Sequence, residues 1–388
     1  MNTTADYLAK VILAQLSRTC PPPIPQEVNL DRIIKLSQAN HINYLLLGGL
    51  LKAPNLPEEY KKTLSSLVFR SLQQTLIQVN ELKALVETCE EKGIRNQPMK
   101  GSCMKFLYPS PECREMSDID ILVDQDRMDE IAEVLKSRGY TLYQSVRQHD
   151  VYTRSPYMVV EAHRTMYDKT IDKNQFQYFS SFSKTHLRPG HHYTYDYTPE
   201  DFYVYMMAHM AKHFYARGCG IRNIVDVYIY LKLYRDQMNW AYINKELDTC
   251  GILEFTRRME KLAGIWLNGE PGNSFYDSLF DYMLNSGIYG KDENGVWSRF
   301  ANANLHGKDI SSGTLKSWYY FPPLAYMAEL YPWVEDHNWL LPAAWCVRAF
   351  HGIFKKDRYK QEMFHTIKDS DISVYREIYT QMGLHFKK

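Results

Sequence analysis

The first ninety residues carry apolar side chains at steps of three and four, the spacing of one face of an α-helix. The clearest stretch runs from Glu58 to Lys92, and its apolar stripe comprises Leu64, Leu67, Val68, Leu72, Leu76, Val79, Leu82 and Leu85. Gly93 follows the last turn, where a residue of positive φ commonly ends a helix. Prolines between Pro21 and Pro25 interrupt the earlier helices because proline has no amide hydrogen to donate. This pattern predicts an N-terminal helical region over residues 1–90.

From about residue 91 the pattern changes to short apolar runs that are typical of strands. Strands are predicted at Asp118–Val123, Tyr140–Tyr143, Asp150–Arg154 and Met158–His163. Asp124–Arg138 is predicted to be a helix, with Asp124 or Asp126 as its N-cap and Gly139 at its end. These elements indicate a small unit of mixed α and β structure over residues 91–197.

After this unit the helical period returns. Helices are expected at Phe202–Phe214 and Ile221–Tyr234, and the chain continues as mostly helix to its last residue. We therefore expect an α+β protein in which a C-terminal helical domain, residues 198–388, follows the small α/β core.

Composition places the chain among ordinary globular proteins, because 45% of its 388 residues are hydrophobic and 23% are charged. The formal net charge of +1 gives no electrostatic reason to expect nucleic acid as the main partner, or a membrane surface. The longest apolar stretch, Tyr44–Leu51, is far shorter than the ~20 residues that span a bilayer. Seven scattered cysteines without a CxxC pair favour the reducing cytoplasm.

The predicted strand at Asp118–Val123 carries the strongest chemical signal. Residues two apart in a strand point to the same face, so Asp118 and Asp120 aim together while Ile119 and Ile121 pack on the other side. Two carboxylates held this close repel each other and remain ionised most easily with a cation between them. Their oxygen ligands suit Mg²⁺.

A third acid lies in the predicted strand Met158–His163. There Val160 and Ala162 would face one side, and Glu161 and His163 the other. A neighbouring strand would bring Glu161 beside the aspartates and complete a site for two metal ions. Two simpler interpretations stay open: Glu161 as an acid on an edge strand, and His163 as a structural hydrogen-bonding residue.

Cationic and glycine residues precede the aspartates. Lys100-Gly101-Ser102 opens a predicted helix, Cys103–Leu107, and offers backbone N–H groups, a hydroxyl and a positive charge to a phosphate. Arg114 is either a two-pronged phosphate ligand or the partner of a nearby acid such as Glu112 or Glu115.

Two further pairs lie on the predicted helices after the core, each with a spacing of four residues. His209 and His213 have a spacing that can bind zinc, but the glutamate of the H-E-x-x-H motif is missing, so we expect them to line a cleft. Arg222 and Asp226 either pair with each other, or Arg222 steers a nucleotide.

In chain order, these groups resemble the nucleotidyltransferase superfamily that includes DNA polymerase β, with its Gly-Ser step, D-x-D strand and later third acid. A longer string looks closer still to the bacterial family of uncharacterised nucleotidyltransferases. The residues that carry this resemblance are Met99-Lys100-Gly101, Tyr108, Arg114, Ser117 to Val123, Val160 to His163, His209 to His213 and Gly220 to Asp226. The resemblance covers roughly residues 60–235.

The resemblance implies a small mixed-sheet core of the polymerase β type, in which Asp118, Asp120 and Glu161 bind Mg²⁺ or Mn²⁺. Glu161 would also help to deprotonate the acceptor, and Gly101 and Ser102 would hold the triphosphate. The sequence departs from the superfamily by having glutamate where aspartate is frequent, which changes reach more than chemistry.

The implied reaction moves a nucleoside monophosphate from a nucleoside triphosphate to an unknown acceptor and releases pyrophosphate. The acceptor is a small molecule, a sugar, a protein or an RNA end. The alternatives are a non-catalytic nucleotide-sensing or protein-interaction module, a toxin-type enzyme that modifies tRNA or protein, and a phosphoesterase with the same metal site.

Overall fold

The structure is a computed structural model. It describes residues 1–156, 158–167, 172–179, 182–290, 321–322, 324, 327, 331–334, 337–354 and 369–384. The chain forms two compact units, one of residues 1–294 with 382–388 and one of residues 295–381. The division at residues 90 and 197 stays a prediction, and the predicted C-terminal helices between residues 291 and 320 and between 355 and 368 lie outside the described residues.

The N-terminal part of the first unit is helical, as the apolar pattern predicts. Its helices are α1 (Thr3–Leu16), α2 (Leu30–Ala39), α3 (Gly48–Leu50) and α4 (Glu58–Glu91), with a π-helical turn at Asn43–Leu47. The segment with Pro21 and Pro25 separates α1 from α2. Helix α4 matches its prediction to within one residue, and Gly93 behind it has a φ of 64°.

The core of the first unit is a five-stranded mixed sheet. Its strands are β1 (Asn96–Pro98), β2 (Ile119–Val123), β3 (Thr141–Ser145), β4 (His149–Arg154) and β5 (Met158–His163). In space they follow the order β1-β2-β5-β4-β3. Strands β2 and β5 pair in parallel and the other neighbours are antiparallel. The α+β class is confirmed; β1 was not predicted, and β5 has its predicted bounds.

Three helices belong to this core: α5 (Gly101–Met104), α6 (Met128–Ser137) and α7 (Lys173–Tyr178). The predicted start of α6 was wrong. A 3₁₀ turn, Gln125–Arg127, comes first, and no side chain caps α6. Asp124 instead pairs with Arg95, while Gly139 follows the helix with a φ of 83°, as expected.

One face of the sheet packs on α4 and α6. The fully buried side chains of Ile119, Ile121, Val160 and Ala162 form this apolar layer together with residues of the two helices. Burying one such aliphatic side chain stabilises the fold by roughly 1.5–3 kcal/mol. Because the residues of a strand alternate between faces, this packing turns the intervening polar residues of β2 and β5 to the opposite face.

Helices cover the region beyond the sheet. A short hairpin of β6 (Thr185–Leu187) and β7 (Tyr195–Tyr197) leads into them. The helices are α8 (Pro199–Arg217), α9 (Arg222–Tyr234), α10 (Trp240–Thr249), α11 (Leu253–Asn268) and α12 (Ser274–Ser286). The two predicted helices correspond to α8, which is longer, and α9. Asn40 ties α2 to this region by donating to the carbonyl of Leu284 and accepting from the amide of Ile221.

The second unit contains α13 (Leu341–Phe354), and α14 (Asp369–Met382) begins in it. Met327, Val334 and Ala344 form a small buried cluster there. Within the described ranges, no helix combines the length and the apolar character that crossing a membrane requires.

Candidate functional site

The three predicted acids come together on the polar face of the sheet. The parallel pairing of β2 with β5 places Asp120 directly beside Glu161, and Asp118 immediately precedes β2. One oxygen from each carboxylate lies within 4.8 Å of the others. Strand β5 lies between β2 and β4, so the interpretation of Glu161 as an acid on an edge strand is wrong.

Lys100 lies against these acids. Its Nζ is 2.6 Å from Oδ1 of Asp120 and 3.9 Å from Oε2 of Glu161. Burial alone lowers the pKa of Lys100, but the charges of Asp120, Asp118 and Glu161 outweigh it and raise that pKa above its usual value. The ammonium group therefore stays charged.

The backbone of Lys100 has a φ of 47°, which residues with a side chain seldom adopt. Such a conformation costs on the order of 1–3 kcal/mol and persists where neighbouring contacts hold it. Here the amide of Met99 donates to the carbonyl of Asp120 at 3.0 Å, and the amide of Met104 donates to the carbonyl of Lys100 at 2.9 Å. The turn thus anchors Lys100 to the strand that carries the aspartates.

The two aspartates have opposite protonation tendencies. Burial and the negative charge of Asp120 raise the pKa of Asp118 to about 7. Burial acts in the same direction on Asp120, but Lys100 and His163 outweigh it and hold the pKa of Asp120 well below its usual value. Asp120 is therefore ionised, whereas Asp118 needs an additional positive charge to be fully ionised at neutral pH.

Two histidines border the carboxylates. His163 is 3% exposed, and its Nε2 lies 2.9 Å from Oδ1 of Asp120 and 3.2 Å from Oε2 of Glu161. Its role as a hydrogen-bonding residue therefore has structural support. His149 faces it across the β4–β5 pair, with ring centroids 4.7 Å apart. Burial and His163 lower the pKa of His149 to about 4. Sequence reasoning missed His149, because only the strand register brings it to the site.

The acids open into a cleft of about 320 Å³ between the sheet and helices α8 and α9. This volume lies at the lower end of the range for small-molecule sites. The predicted residues that line the cleft are Lys100, Gly101, Arg114, Asp118, Asp120, Glu161, His209, His213 and Arg222. The apolar part of its wall comprises Met104, Met116, Phe202, Tyr205, Met206, Met210, Ile288 and Tyr289.

The structure does not bring the side chain of Ser102 to the cleft. Ser102 is 1% exposed, and its Oγ has no hydrogen-bond partner in the described part of the chain. Its amide donates to the carbonyl of Met99 at 2.8 Å. The predicted helix Cys103–Leu107 is replaced by the four-residue α5 and a 3₁₀ turn. A phosphate contact from the Ser102 hydroxyl therefore has no support in this arrangement.

Arg114 pairs with an acid that neither predicted alternative named. Its Nη2 lies 2.9 Å from Oδ2 of Asp226 and its Nε lies 3.2 Å from Oδ1, a two-pronged pair between the core and α9. Tyr108 also donates to Oδ1 of Asp226, at 2.8 Å. Glu115, one of the predicted partners, instead accepts from the amide of Tyr44 at 2.7 Å. Arg114 therefore fixes the helical region to the core.

Arg222 does not pair with Asp226 either, because Arg114 and Tyr108 take that carboxylate. Its Nη1 donates to the carbonyl of Glu115 at 2.8 Å, and its buried Nε has no hydrogen-bond partner in the described part of the chain. Burial and the neighbouring Arg114 lower the pKa of Arg222 to about 10. The guanidinium of Arg222 also lines the cleft. It is bonded to a carbonyl, whereas the guanidinium of Arg114 is paired with the carboxylate of Asp226.

His209 and His213 line the cleft, as we expected in place of a zinc site. Their Nε2 atoms lie 3.0 Å apart. Among the described residues, no other histidine, cysteine or acid joins them in a cluster able to hold a metal ion. Burial is the main cause that lowers the pKa of both, that of His213 to about 3. They are therefore neutral groups in the wall of the cleft.

A mixed sheet with clustered carboxylates at a cleft, flanked by helices, is consistent with a nucleotidyltransferase core. The family model described as uncharacterised nucleotidyltransferase matches residues 26–268, more than half of the chain. The protein therefore belongs to the uncharacterised nucleotidyltransferase family. No curated protein and no solved structure matches the chain.

Proposed function

We propose that this protein transfers a nucleoside monophosphate from a nucleoside triphosphate to an acceptor hydroxyl or other nucleophile, with release of pyrophosphate. The observation that carries the proposal is the parallel register of β2 and β5, which clusters the oxygens of Asp118, Asp120 and Glu161 within 4.8 Å at a cleft. Membership of a nucleotidyltransferase family supports the same reaction class.

The donor set fits a hard divalent cation. Asp118, Asp120 and Glu161 would hold Mg²⁺ or Mn²⁺, because such ions take carboxylate oxygens and keep other positions for water and phosphate. The raised pKa of Asp118 supports this assignment. Three carboxylates face one lysine, so the site carries negative charge that a bound cation would neutralise. Two metal ions held by these carboxylates would lower the pKa of the attacking hydroxyl and stabilise the in-line transition state.

The protein's own groups bind and orient the substrates in this proposal. Lys100 supplies a point charge for phosphate oxygens beside the acids, and Gly101 lets the chain approach them without a side chain in the way. We propose that Arg222 makes the principal guanidinium contact with the triphosphate, because the guanidinium of Arg114 is already paired with Asp226. Arg114 then acts by positioning the turn at Gly101. The acceptor proton passes to Glu161, which faces the cleft.

Calorimetric titration with each of the four ribonucleoside triphosphates, with and without Mg²⁺, tests the proposal. We expect Mg²⁺-dependent binding of at least one triphosphate, lost in Asp118→Asn and Asp120→Asn. Asp126→Asn is the matched control, because Asp126 is an exposed aspartate just beyond β2. Pyrophosphate release with candidate acceptors then separates transfer from sensing, and a nucleophile other than water separates transfer from hydrolysis. Wild-type protein that binds no triphosphate with Mg²⁺ or Mn²⁺ would refute the proposal.

A further inference from the structure

Glu161 also belongs to a second cluster, which does not include Asp118. It contains one carboxylate and two imidazoles, those of His149 and His163, with ligand atoms that all lie within 4.8 Å of one another. Nε2 of His163 lies 3.2 Å from Oε2 of Glu161, and Nε2 of His149 lies 3.8 Å from the same oxygen. These groups come from adjacent strands, so the sheet itself sets their spacing.

The spacing is that of ligands around one ion. Nitrogen and oxygen ligands at about 2.1 Å from a tetrahedral metal ion lie roughly 3.4 Å from each other. The separations of 3.2 and 3.8 Å bracket that value. Hydrogen bonding explains His149 poorly, because 3.8 Å exceeds a hydrogen-bond distance.

Among the described residues, the side chain of His149 makes no hydrogen bond that would explain its position. Its Nδ1 is buried without a hydrogen bond in the described part of the chain, and its Nε2 points to Glu161. Nδ1 of the buried His163 is likewise without a partner there. The Nε2 atoms of the buried His163 and of His149, which is 22% exposed, converge on one oxygen of Glu161, and Nε2 of His163 also lies 2.9 Å from Oδ1 of Asp120. This convergence of two imidazoles on carboxylate oxygens suits a cation that accepts the nitrogen lone pairs.

We propose that His149, Glu161 and His163 form a separate binding site for a first-row transition-metal ion such as Zn²⁺, next to the three-carboxylate site and sharing Glu161 with it. Two imidazoles and one carboxylate are a ligand set that zinc uses while keeping further positions open. Mg²⁺ prefers oxygen ligands, so the two sites differ in the ions that they select. The site binds its ion whether or not the protein transfers nucleotides.

Titration of the full chain with Co²⁺ tests this site, because the visible absorption of Co²⁺ reports nitrogen ligands and coordination number. Wild type, His149→Gln, His163→Gln and His213→Gln are compared. His213 is the control, a histidine that lines the same cleft outside the cluster. Removing a residue that only hydrogen-bonds a metal ligand lowers the affinity for the metal by about 10–100-fold. Removing a ligand itself should therefore lower the affinity for Co²⁺ by at least about 100-fold. We expect that loss in His149→Gln and His163→Gln and wild-type affinity in His213→Gln.

Asp118→Asn separates this site from the carboxylate site, because Asp118 belongs only to the latter. We expect Asp118→Asn to lose Mg²⁺-dependent triphosphate binding but to keep the Co²⁺ absorption, and His149→Gln to show the reverse. Circular dichroism identifies any variant that does not fold, and His149→Asn then replaces His149→Gln. An unchanged Co²⁺ spectrum in both His149 and His163 variants would overturn the proposal. Loss of the spectrum in His213→Gln alone would also overturn it, by placing the ion at the α8 pair.

Discussion

The buried pair of Arg114 and Asp226 joins the α/β core to α9, and Asp226→Asn tests how strongly. The side chains are 8% and 4% exposed, respectively. The substitution keeps the shape of residue 226 but removes the negative charge that faces Arg114. The positive charges of Arg114 and the neighbouring Arg222 then repel each other without that carboxylate to compensate them. Removing one partner of a buried pair leaves an uncompensated charge and typically costs about 3–5 kcal/mol. An asparagine oxygen still accepts from Tyr108 or Arg114, so we expect the lower part of that range, about 3 kcal/mol.

The free energy of unfolding, from urea titration monitored by circular dichroism, measures this cost. Asp236→Asn, an exposed aspartate just after α9, is the control and should change stability by less than about 0.5 kcal/mol. Arg114→Met and the double variant complete a cycle, in which direct pairing predicts a coupling of about 0.5–3 kcal/mol. A cost below about 1 kcal/mol for Asp226→Asn, or additive single effects, would refute the role of Arg114 as a positioning residue.

Two further predictions concern the turn and the aspartates. Gly101→Ala should cost about 1–3 kcal/mol of unfolding free energy, because a Cβ there would lie 2.5 Å from Nη1 of the fixed Arg114; a thermal denaturation curve equal to wild type would contradict this. The raised pKa of Asp118 means that the folded state binds its proton more tightly than the unfolded state, so this group's contribution to stability is present below pH 4 and is lost as the pH rises towards about 7. Asp118→Asn should therefore be more stable than wild type at pH 8 in EDTA, by at most about 4 kcal/mol, and the difference should vanish at pH 4. Urea titrations at both pH values check this, and equal stabilities at pH 8 would contradict it.

Elements whose signal is local were predictable from the sequence. The stripe of α4 and the alternation in β2 and β5 each follow from a few neighbouring residues, and all three elements appear close to their expected bounds. The direction of the Glu161 side chain also follows from alternation, because Val160 and Ala162 enter the core on the other face. The same alternation predicts that the side chain of His163 lies on the polar face with Glu161.

Contacts between distant segments were not predictable. Asp226 lies 112 positions from Arg114, and nothing in the local spacing favours it over Glu112 or Glu115. The position of His149 depends on which residue of β5 it faces, and a change of one residue in that register would turn it away from the site. The start of α6 was misjudged because the pattern of acids that marks an N-cap occurs here in a 3₁₀ turn.

The cleft and its supporting contacts come from several parts of the chain, and the family match extends beyond the sheet to most of them. Glu115 accepts through its carboxylate from Asn43 and Tyr44 of the N-terminal helical region, and through its carbonyl from Arg222 of α9. Since the acids of the sheet face a wall formed by α8 and α9, the sheet alone would leave them exposed on an open surface. The match over residues 26–268 covers the sheet, α8, α9 and the contacts of Glu115 and ends with α11, so it includes most of the cleft but not Ile288 and Tyr289 of its wall.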